Sequence, residues 1–319
     1  MNAEDTRIHD HVRHRALIAR CRNLPPTRTA VVHPVDPLSI QGAVEAARIG
    51  LITPVLVGPE ARIRAAALEA NADISQFALI AAPHSHAAAA EAARLARNGK
   101  VEALMKGSLH TDELMHEVML SENGLRTERR VSHVYIFDVP SYPRPLLVTD
   151  AAINIAPTLS EKCDICQNAI DLAHILGIPM PKVAILSAVE TVNERLPSTI
   201  DAAALCKMAD RGQILGGILD GPLAFDNAVS MEAARAKHIV SPVAGQADIL
   251  LVPNIEAGNI LAKQLTFFDH ADAAAIVLGA RLPIILTSRA DSVQTRIASC
   301  AVAALVADTR RHSVLVSAD

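Results

Sequence analysis

The stretch that decides the fold is "TAVVHPVDPLSIQGAVEAARIGLITPVLVG", residues 29–58. Its first apolar run, "TAVVHP", has the composition of a strand. The segment "SIQGAVEAARIG" then has helical spacing, and we expect Ser39 to cap that helix and Gly50 to end it. A second apolar run, "TPVLVG", follows at once. Strands joined through a helix form right-handed units with parallel strands, so this stretch predicts an α/β fold.

The same alternation continues along most of the chain. Further strand-like runs are "FALIAAP", "VEALMKGS", "KVAILSAVE", "ILGGILDGP", "ADILLVPN", "AAAIVLGA" and "PIILTS". Segments with helical periodicity, such as "SHAAAAEAARLARNG" and "STIDAAALCKMADRG", lie between many of them. This order predicts a mostly parallel sheet flanked by helices.

The alternation breaks at "VSHVYIFDVPSYPRPLLVTDAAINI", residues 131–155, where strand-like runs and prolines follow one another without a helix. Such a stretch is typical of a crossing between domains or of an antiparallel addition to the sheet. We therefore expect an N-terminal α/β domain of residues 1–147 and a second α/β domain of residues 148–287. The last helix, within residues 288–319, is expected to complete the first domain.

Composition excludes several classes of protein. The chain has 319 residues, half of them hydrophobic, with 2% aromatic residues, no Trp and a net charge of −4. Nucleic-acid binders use a basic excess and stacking rings, so we expect no nucleic-acid partner. The chain has neither a long uncharged apolar run nor an apolar core near its N-terminus. We therefore expect no membrane span, no signal peptide and a cytoplasmic location.

The five cysteines contain a single C-x-x-C pair, Cys163 and Cys166, in "EKCDICQNAIDLAHILG". A redox or zinc role is one interpretation of this pair. The other is a structural role, which we favour because the segment has helical periodicity and no second C-x-x-C exists to complete a zinc site.

Ligands of open α/β sheets bind beyond the carboxyl ends of the strands, so polar residues at strand exits are the candidates for function. The first group lies in "LMKGSLHTDELM", where Lys106, Gly107 and Ser108 follow a strand and Thr111 opens a helix. A small-residue turn before a helix N-terminus favours an anion. The alternative is an ordinary turn in which Thr111 caps the helix.

Two more groups have equally open interpretations. In "GLRTERRVSHVYIF", Arg126 and Arg130 would suit a phosphate clamp or a solvated surface, and the nearby His133 a core position. In "ILDGPLAFDNAVS", Asp220 and Asn227 follow a strand, and Asp226 between them would suit a metal site or a helix cap. The remaining acids and histidines form no ligand set with recognisable spacing, so we expect no metal.

The last two groups come near the C-terminus. In "LLVPNIEAGNILAKQL", Asn254, Gly258 and Asn259 crowd one strand exit and the helix after it. In "LPIILTSRADS", Ser288 and Arg289 leave an apolar run and Asp291 follows. This last group places a hydroxyl, a guanidinium and a carboxylate at one strand exit, but none of the five groups is decisive separately.

Taken together and in order, these motifs resemble the phosphate acetyltransferase and phosphate butyryltransferase family. The matching elements are "KGSLHT", "GLRTERRVSHV", "VTDAAINIAP", "DGPLAFDNAVS", "VPNIEAGNILAK" and "LTSRADS". They extend from about residue 104 to the end of the chain. The T-S-R-x-D-S wording is closer to the butyryltransferase branch.

The resemblance implies a reversible transfer of a short acyl group, acetyl or butyryl, between coenzyme A and inorganic phosphate. It implies a two-domain fold like that of isocitrate and isopropylmalate dehydrogenases, an active-site cleft between the domains, a homodimer and no cofactor. Ser288 would bind the thioester sulfur and Arg289 the developing charge, with Asp291 as a third catalytic residue. The implied phosphate- and CoA-binding residues are Lys106, Gly107, Ser108, Thr111, Arg126, Arg130, Asn154, Asp220, Asn227, Asn254, Gly258 and Asn259.

One departure puts the base in doubt. The resemblance places an acid seven residues after Ser288, where this chain has Thr295. Asp291 would then be either the base or only the N-cap of the last helix. Alternatively, phosphate passes its own proton to the thiolate. Ser288 as a covalent nucleophile is a rival interpretation, although no supporting His–acid pair is visible.

Two other functions remain as alternatives. One is a metal- and NAD-dependent β-decarboxylating dehydrogenase of the same fold, which the two tyrosines and the absent acid cluster disfavour. The other is a non-catalytic CoA-binding relative, which the presence of Ser288 and Arg289 disfavours.

Overall fold

A computed structural model describes residues 12–316 of the chain. The strands of the described part are β1 Thr27–Val32, β2 Ile52–Gly58, β3 Ala78–Ala81, β4 Ala103–Lys106, β5 Ser132–Asp138, β6 Leu146–Thr149, β7 Lys182–Leu186, β8 Ile218–Leu223, β9 Ile249–Leu251, β10 Asp272–Leu278 and β11 Ile284–Ile285. The helices are α1 Val12–Arg20, α2 Pro37–Arg48, α3 Glu60–Glu69, α4 Ser85–Arg97, α5 Thr111–Met119, α6 Leu159–Ile175, α7 Pro197–Asp210, α8 Phe225–Val229, α9 Met231–Ala236, α10 Ile255–Phe267 and α11 Val293–Val316, with a 3₁₀ turn at Ser121–Asn123.

All of these strands join one mixed sheet in the order β3-β2-β1-β4-β11-β10-β5-β6-β9-β7-β8. The first five strands in this order, β3, β2, β1, β4 and β11, are parallel to one another, and so are the last four, β6, β9, β7 and β8. Between these two groups, β10 and β5 run antiparallel to their neighbours. The mostly parallel α/β sheet is therefore confirmed, and the break at residues 131–155 is an antiparallel pair inside it.

Two predicted helix starts are wrong. Helix α2 is capped by Asp36, whose carboxylate accepts the Ser39 backbone N–H at 2.9 Å, because Pro37 can occupy the first helical position without a donor. Helix α11 was expected to begin at Asp291. It begins at Val293, and the Ser292 hydroxyl accepts the Thr295 backbone N–H at 3.1 Å as an N-cap does. Asp291 is thereby left outside the helix.

The two faces of the sheet are covered differently. On one face, α2, α3, α6, α7 and α11 share a single continuous core that runs beneath both parallel groups of strands. On the other face, α4 and α5 cover one core while α8, α9 and α10 cover a second. Because apolar packing is interrupted between these two cores, a cavity opens there, between the start of α5 and the start of α10.

Both cysteines of the C-x-x-C pair lie on α6 with free thiols. Burial raises the thiol pKa of Cys163 and of Cys166, which disfavours the reactive thiolate and agrees with a structural role. Within residues 12–316, no group of three or more His, Cys, Asp or Glu side chains is placed to hold a metal ion. Over the same residues, no helix is long and apolar enough to cross a membrane.

Candidate active site

The cavity between the two cores has a volume of about 860 Å³. Parallel pairing of β4 with β11 places their carboxyl ends side by side, since Leu104 lies opposite Ile284 and Met105 opposite Ile285. Side chains alternate along a strand, so Lys106 projects to the same face as Leu104. The cavity is lined by Lys106, Leu109, His110, Thr111, Tyr135, Ala152, Ile255, Glu256, Asn259, Ile260, Leu286, Thr287, Ser288 and Arg289. Five of the residues predicted for the site are therefore brought together.

Lys106, at the end of β4, is 5% exposed. Its Nζ donates to the backbone carbonyls of Gly107 at 3.3 Å and Leu109 at 3.1 Å. Burial, followed by the nearby Arg296 and Arg289 guanidinium groups, lowers its pKa to about 8. The amine is thus a buried cation at neutral pH with carbonyls, not a carboxylate, as its hydrogen-bond acceptors.

Ser288 and Arg289 leave β11 at the mouth of the cavity, and both are exposed. Among the described residues, no carboxylate forms an ion pair with the Arg289 guanidinium. An exposed guanidinium without a carboxylate partner has its full hydrogen-bonding capacity available for an anion. Ser288 and Arg289 therefore present a hydroxyl and a free cation to the same space.

Two side chains hold the backbone of Ser288 in place. The Asp291 carboxylate accepts the Ser288 backbone N–H at 2.6 Å, and Arg296 Nη2 donates to the Ser288 carbonyl at 3.1 Å. Arg296 Nη1 also donates to the Thr287 hydroxyl at 2.9 Å. The serine is consequently fixed from both sides before any substrate arrives.

Arg296 was not predicted for the site. It lies on α11 and is 2% exposed. A Cβ atom at Gly42 of α2 would lie 2.7 Å from the Arg296 Cδ, so the glycine makes room for this side chain. The signal in the sequence is an arginine just before the apolar middle of this helix, and the direction of its side chain depends on how α2 and α11 pack.

Asp291 does not line the cavity. Burial raises the pKa of its carboxyl group, while the Ser288 N–H and the nearby Arg296, Lys106 and Lys263 cations lower it. The structure thus gives Asp291 a positioning contact with Ser288. Its interpretation as the N-cap of the last helix is wrong, because Ser292 takes that position.

The turn after β4 leads to the N-terminus of α5. Gly107 passes close to β1, since a Cβ there would lie 2.5 Å from the Val32 carbonyl oxygen. The Ser108 carbonyl contacts His33 Nδ1 at 2.8 Å. The predicted N-cap Thr111 is instead the first residue of α5, preceded by His110 as N-cap without a side-chain cap bond. His110 and Thr111 both line the cavity, so the N-terminus of α5, a position that favours anions, borders it.

Helix α10 supplies the opposite wall. Asn254 caps it, with its side-chain oxygen accepting the Ala257 backbone N–H at 2.9 Å. Gly258 lets the helix approach the chain after β6, because a Cβ there would lie 2.6 Å from the Asp150 carbonyl oxygen. Asn259 lines the cavity and donates to the Ala151 carbonyl at 3.2 Å. Only Asn259 of these three predicted residues reaches the cavity.

Asn154 belongs to a separate buried cluster around Asp150. The Asp150 carboxylate accepts the backbone N–H groups of His133, Ala152, Ile153 and Asn154, and also the Asn154 side-chain amide at 2.6 Å. Asn154 further donates to the Val131 carbonyl and accepts from Arg130 Nε at 2.7 Å. This cluster fixes the chain after β6.

The remaining predicted residues lie outside the cavity. Arg126 is exposed, and Arg130 also pairs with Glu161 at 3.0 Å. Asp220 lies on β8, six strands from β11, which corresponds to roughly 30 Å across the sheet. Asn227 is buried on α8, and its Nδ2 donates to Glu190 at 3.4 Å. The structure does not bring these four residues to Ser288.

Sequence reasoning missed the apolar wall of the cavity. Leu109, Ala152, Ile255, Ile260 and Leu286 line it beside Tyr135. Their strands and loops come from distant parts of the chain, so no local pattern groups them. His133, behind Tyr135, is fully buried as predicted, and burial lowers the pKa of its imidazole.

Comparison with known proteins identifies the family of this chain. The family model described as "Phosphate acetyl/butaryl transferase" matches residues 85–304, more than half of the chain. The chain belongs to this family. This acyltransferase is 64% identical over 295 residues to a phosphate acetyltransferase of Rhizobium meliloti, covering 92% of the chain and 93% of that protein. It is 41% identical over 294 residues to a phosphate butyryltransferase of Clostridium acetobutylicum, covering 92% and 98%.

Solved structures agree with the family. A branched-chain phosphotransacylase from Enterococcus faecalis matches this acyltransferase with a TM-score of 0.77 and 31% identity, over 88% of this chain and 99% of that one. A 4-hydroxythreonine-4-phosphate dehydrogenase from Klebsiella pneumoniae matches with a TM-score of 0.52 and 13% identity over the same shares, a likeness of fold alone. The family assignment does not favour the dehydrogenase alternative, because the sequence relatives are acyltransferases.

Proposed function

We propose that this chain catalyses acyl-CoA + phosphate ⇌ acyl phosphate + CoA, with an acetyl or butyryl group, in the cavity at the β4 and β11 exits. The observation that carries the proposal is the convergence of Lys106, Ser288 and Arg289 on one cavity of about 860 Å³ in a member of this family. A cavity of this size suits a small substrate group held between apolar walls and a few polar contacts.

The chemistry needs positive charge at this position. A phosphate oxygen attacks the thioester carbonyl, a C–O bond forms and the C–S bond breaks. Negative charge develops on the carbonyl oxygen during the attack, and a preorganised cation or hydrogen-bond donor stabilises it. Arg289, which has no ion-pair partner among the described residues, is suited to this role, and the start of α5 at Thr111 is suited to phosphate.

Ser288 is suited to hydrogen-bond the thioester sulfur. Its backbone is held by Asp291 and Arg296, so its hydroxyl needs little reorganisation when the thiolate leaves. In this proposal Asp291 acts on the reaction by positioning Ser288. Ser288→Ala is expected to retain measurable activity. If Ser288 were instead a covalent nucleophile, Ser288→Ala would have none, and the wild type would accumulate an acyl-enzyme.

Coenzyme A is longer than the cavity, and a neighbouring groove offers space for the rest of it. A second cavity of about 750 Å³ shares Ile260 with the first and is lined by Phe225 and Val229 on either side of Asn227. Asn227 therefore remains a predicted CoA contact. Asp220, Asn254 and Gly258, which belong to the same half of the sheet, remain predicted CoA contacts as well. Arg126, Arg130 and Asn154 likewise remain predicted contacts for phosphate or CoA. Gly107 and Ser108, in the turn between β4 and α5, remain predicted contacts for phosphate or CoA as well.

We further propose two domains of the isocitrate and isopropylmalate dehydrogenase type, with residues 1–147 and 288–319 in one and 148–287 in the other. Support comes from the two separate cores on the cavity face and from the contacts of α11 with α2.

We also propose a homodimer, supported by the exposed Ile260, Phe267 and Phe268 at one side of α10. The cytoplasmic location and the absence of a cofactor remain predictions.

A coupled assay tests the function. Thiol release from acetyl-CoA and from butyryl-CoA is measured with and without inorganic phosphate, and acyl phosphate is trapped with hydroxylamine. We expect release that depends on phosphate, with one hydroxamate formed for each thiol. Thiol release at the same rate without phosphate would contradict the proposal, since it would indicate a thioesterase.

A further inference from the structure

Several groups in or near the cavity could exchange a proton with a thiol. Tyr135 is unsuited, because burial raises its phenol pKa far above neutral. The His133 Nε2 lies against the Leu286 carbonyl at 3.3 Å, inside the core. The Asp291 carboxylate is bound to the Ser288 N–H and does not line the cavity. Lys106 and His110 both line it, but the His110 side chain is exposed whereas Lys106 is buried and held.

The hydrogen bonds of Lys106 suit an amine that gives up a proton. Its Nζ has two acceptors, the carbonyl oxygens of Gly107 and Leu109. A neutral amine has two N–H donors and one lone pair, so these two carbonyls can take both donors. The tetrahedral geometry then leaves the lone pair, or the third N–H of the charged form, pointing away from both carbonyls. No carboxylate within hydrogen-bonding distance, among the described residues, fixes the amine in its charged form.

The charges around Lys106 have opposing effects on its pKa. Arg289 and Arg296, from the β11 to α11 side, favour the neutral amine, and so does burial. Asp36, at the start of α2, and Asp291 favour the charged form but act more weakly. Other ionisable groups nearby are His33, which contacts the Ser108 carbonyl, and His110 and Glu256, which line the same cavity. The result is a pKa of about 8, close to the neutral operating pH at which a general acid or base is most effective.

We propose that Lys106 is the general acid and base for the CoA sulfur, an inference that rests on the function proposed above. In the direction of acyl phosphate synthesis, a phosphate oxygen forms the new C–O bond and the C–S bond breaks. The Lys106 ammonium gives its proton to the departing sulfur, which leaves as the thiol, and the neutral amine remains. In the opposite direction the neutral amine takes the thiol proton as sulfur attacks the acyl phosphate, and phosphate leaves with the C–O electron pair.

The test is Lys106→Arg, because arginine keeps the positive charge but does not give up a proton near neutral pH. Thiol release from acetyl-CoA is measured from pH 6 to 10 over a range of phosphate concentrations that extends to saturation, with Lys100→Arg as a matched control at an exposed lysine. Acetyl-CoA has no thiol proton, so a decline of kcat above pH 8 in the wild type reports on the enzyme. We expect Lys106→Arg to lower kcat about 100-fold, to change the KM for phosphate less than about threefold, and to abolish the decline.

A Lys106→Arg enzyme with near wild-type kcat and an unchanged pH profile would overturn the inference. A raised KM for phosphate at unchanged kcat would also overturn it, since Lys106 would then be a binding cation only. If arginine does not fit and the variant is unfolded, the role of Lys106 is tested with Lys106→Ala, whose kcat is measured with and without added amines. We expect small primary amines to restore its rate, and a folded alanine variant that no amine rescues contradicts the role. Failure of the wild type to release thiol in a phosphate-dependent way contradicts the proposed function itself.

Discussion

Two polar clusters lie at strand exits of the sheet, one after β6 and the other after β4 and β11, and they differ in how completely their hydrogen bonds are satisfied. Around Asp150, one carboxylate accepts five hydrogen bonds, and Asn154 uses both its oxygen and its nitrogen. At the cavity, Arg289 has no ion-pair partner among the described residues, and the Lys106 amine is bound only to carbonyls. The first cluster is complete without a ligand, whereas the second is not.

The difference has a physical basis. A buried polar group without a partner costs about 1–3 kcal/mol, so groups that serve stability are paired in the folded chain. Groups that serve binding must remain available for the substrate. Pairing, more than residue type, therefore separates the fully paired Asn154 and Asp150 from the proposed catalytic lysine and arginine. Each of the following predictions tests that division.

The largest expected effect is that of Arg289→Ala. Removing a preorganised donor to a developing oxyanion lowers kcat by 10²- to 10³-fold, so we expect kcat/KM to fall about 1,000-fold. The free energy of unfolding should change by less than about 0.5 kcal/mol, because no ion pair within residues 12–316 is lost. Arg129→Ala is the matched control, since Arg129 is similarly exposed but paired with Asp171. Equal losses of activity in the two variants would contradict the distinction between paired and unpaired groups.

Lys106→Met should alter the pH dependence of the free energy of unfolding. The difference between wild type and variant should change by up to about 3 kcal/mol between pH 8 and 10.5. The folded pKa of about 8 lies below the usual 10.5, chiefly because of burial. Between these values the unfolded chain binds the proton more strongly, so the wild type gains stability relative to the variant as pH rises from 8 to 10.5. Below pH 8 the difference should be constant. Urea unfolding at pH 7, 8, 9 and 10.5 measures it, and a flat difference would mean that Lys106 is not a buried cation.

Asn154→Ala should lower the free energy of unfolding by about 2 kcal/mol, because it leaves buried partners of the asparagine unsatisfied. The rate per folded molecule should change only a few-fold. Thermal and urea unfolding, together with kcat/KM on the same preparation, separate the two effects. A large loss of kcat/KM at unchanged stability would instead support the substrate contact that the sequence predicts for Asn154.

Gly42→Ala should have the smallest effect, about a tenfold fall in kcat. The added Cβ would lie 2.7 Å from the Arg296 Cδ and so displace the side chain that holds the Ser288 carbonyl. Because the glycine is within helix α2, alanine itself favours the helix by up to about 1 kcal/mol. Steady-state kinetics should show a similar defect for Arg296→Lys. Full activity in Gly42→Ala would show that Ser288 does not depend on this support.

Much of the site could be predicted because its motifs are local. Lys106, Thr111, Asn259, Ser288 and Arg289 each follow a strand or open a helix within a few residues of sequence, and all five line the cavity. Arg296 and the apolar wall could not be predicted. They become part of the site only where α11 meets α2 and where residues from β5, α10 and the loop after β6 approach the β11 exit.

The amino-acid sequence by itself determined the alternation of strands and helices, and with it the mostly parallel sheet whose carboxyl edge bears the site. It also determined which polar residues stand at strand exits, because periodicity and turn residues act over short distances. The tertiary structure alone decided which of those residues meet and which are already paired. Pairing and burial depend on contacts between residues far apart in the chain, such as Arg296 with Ser288's carbonyl and Gly42. Burial and the neighbouring Arg296 and Arg289 charges, which also depend on the tertiary fold, lower the pKa of Lys106.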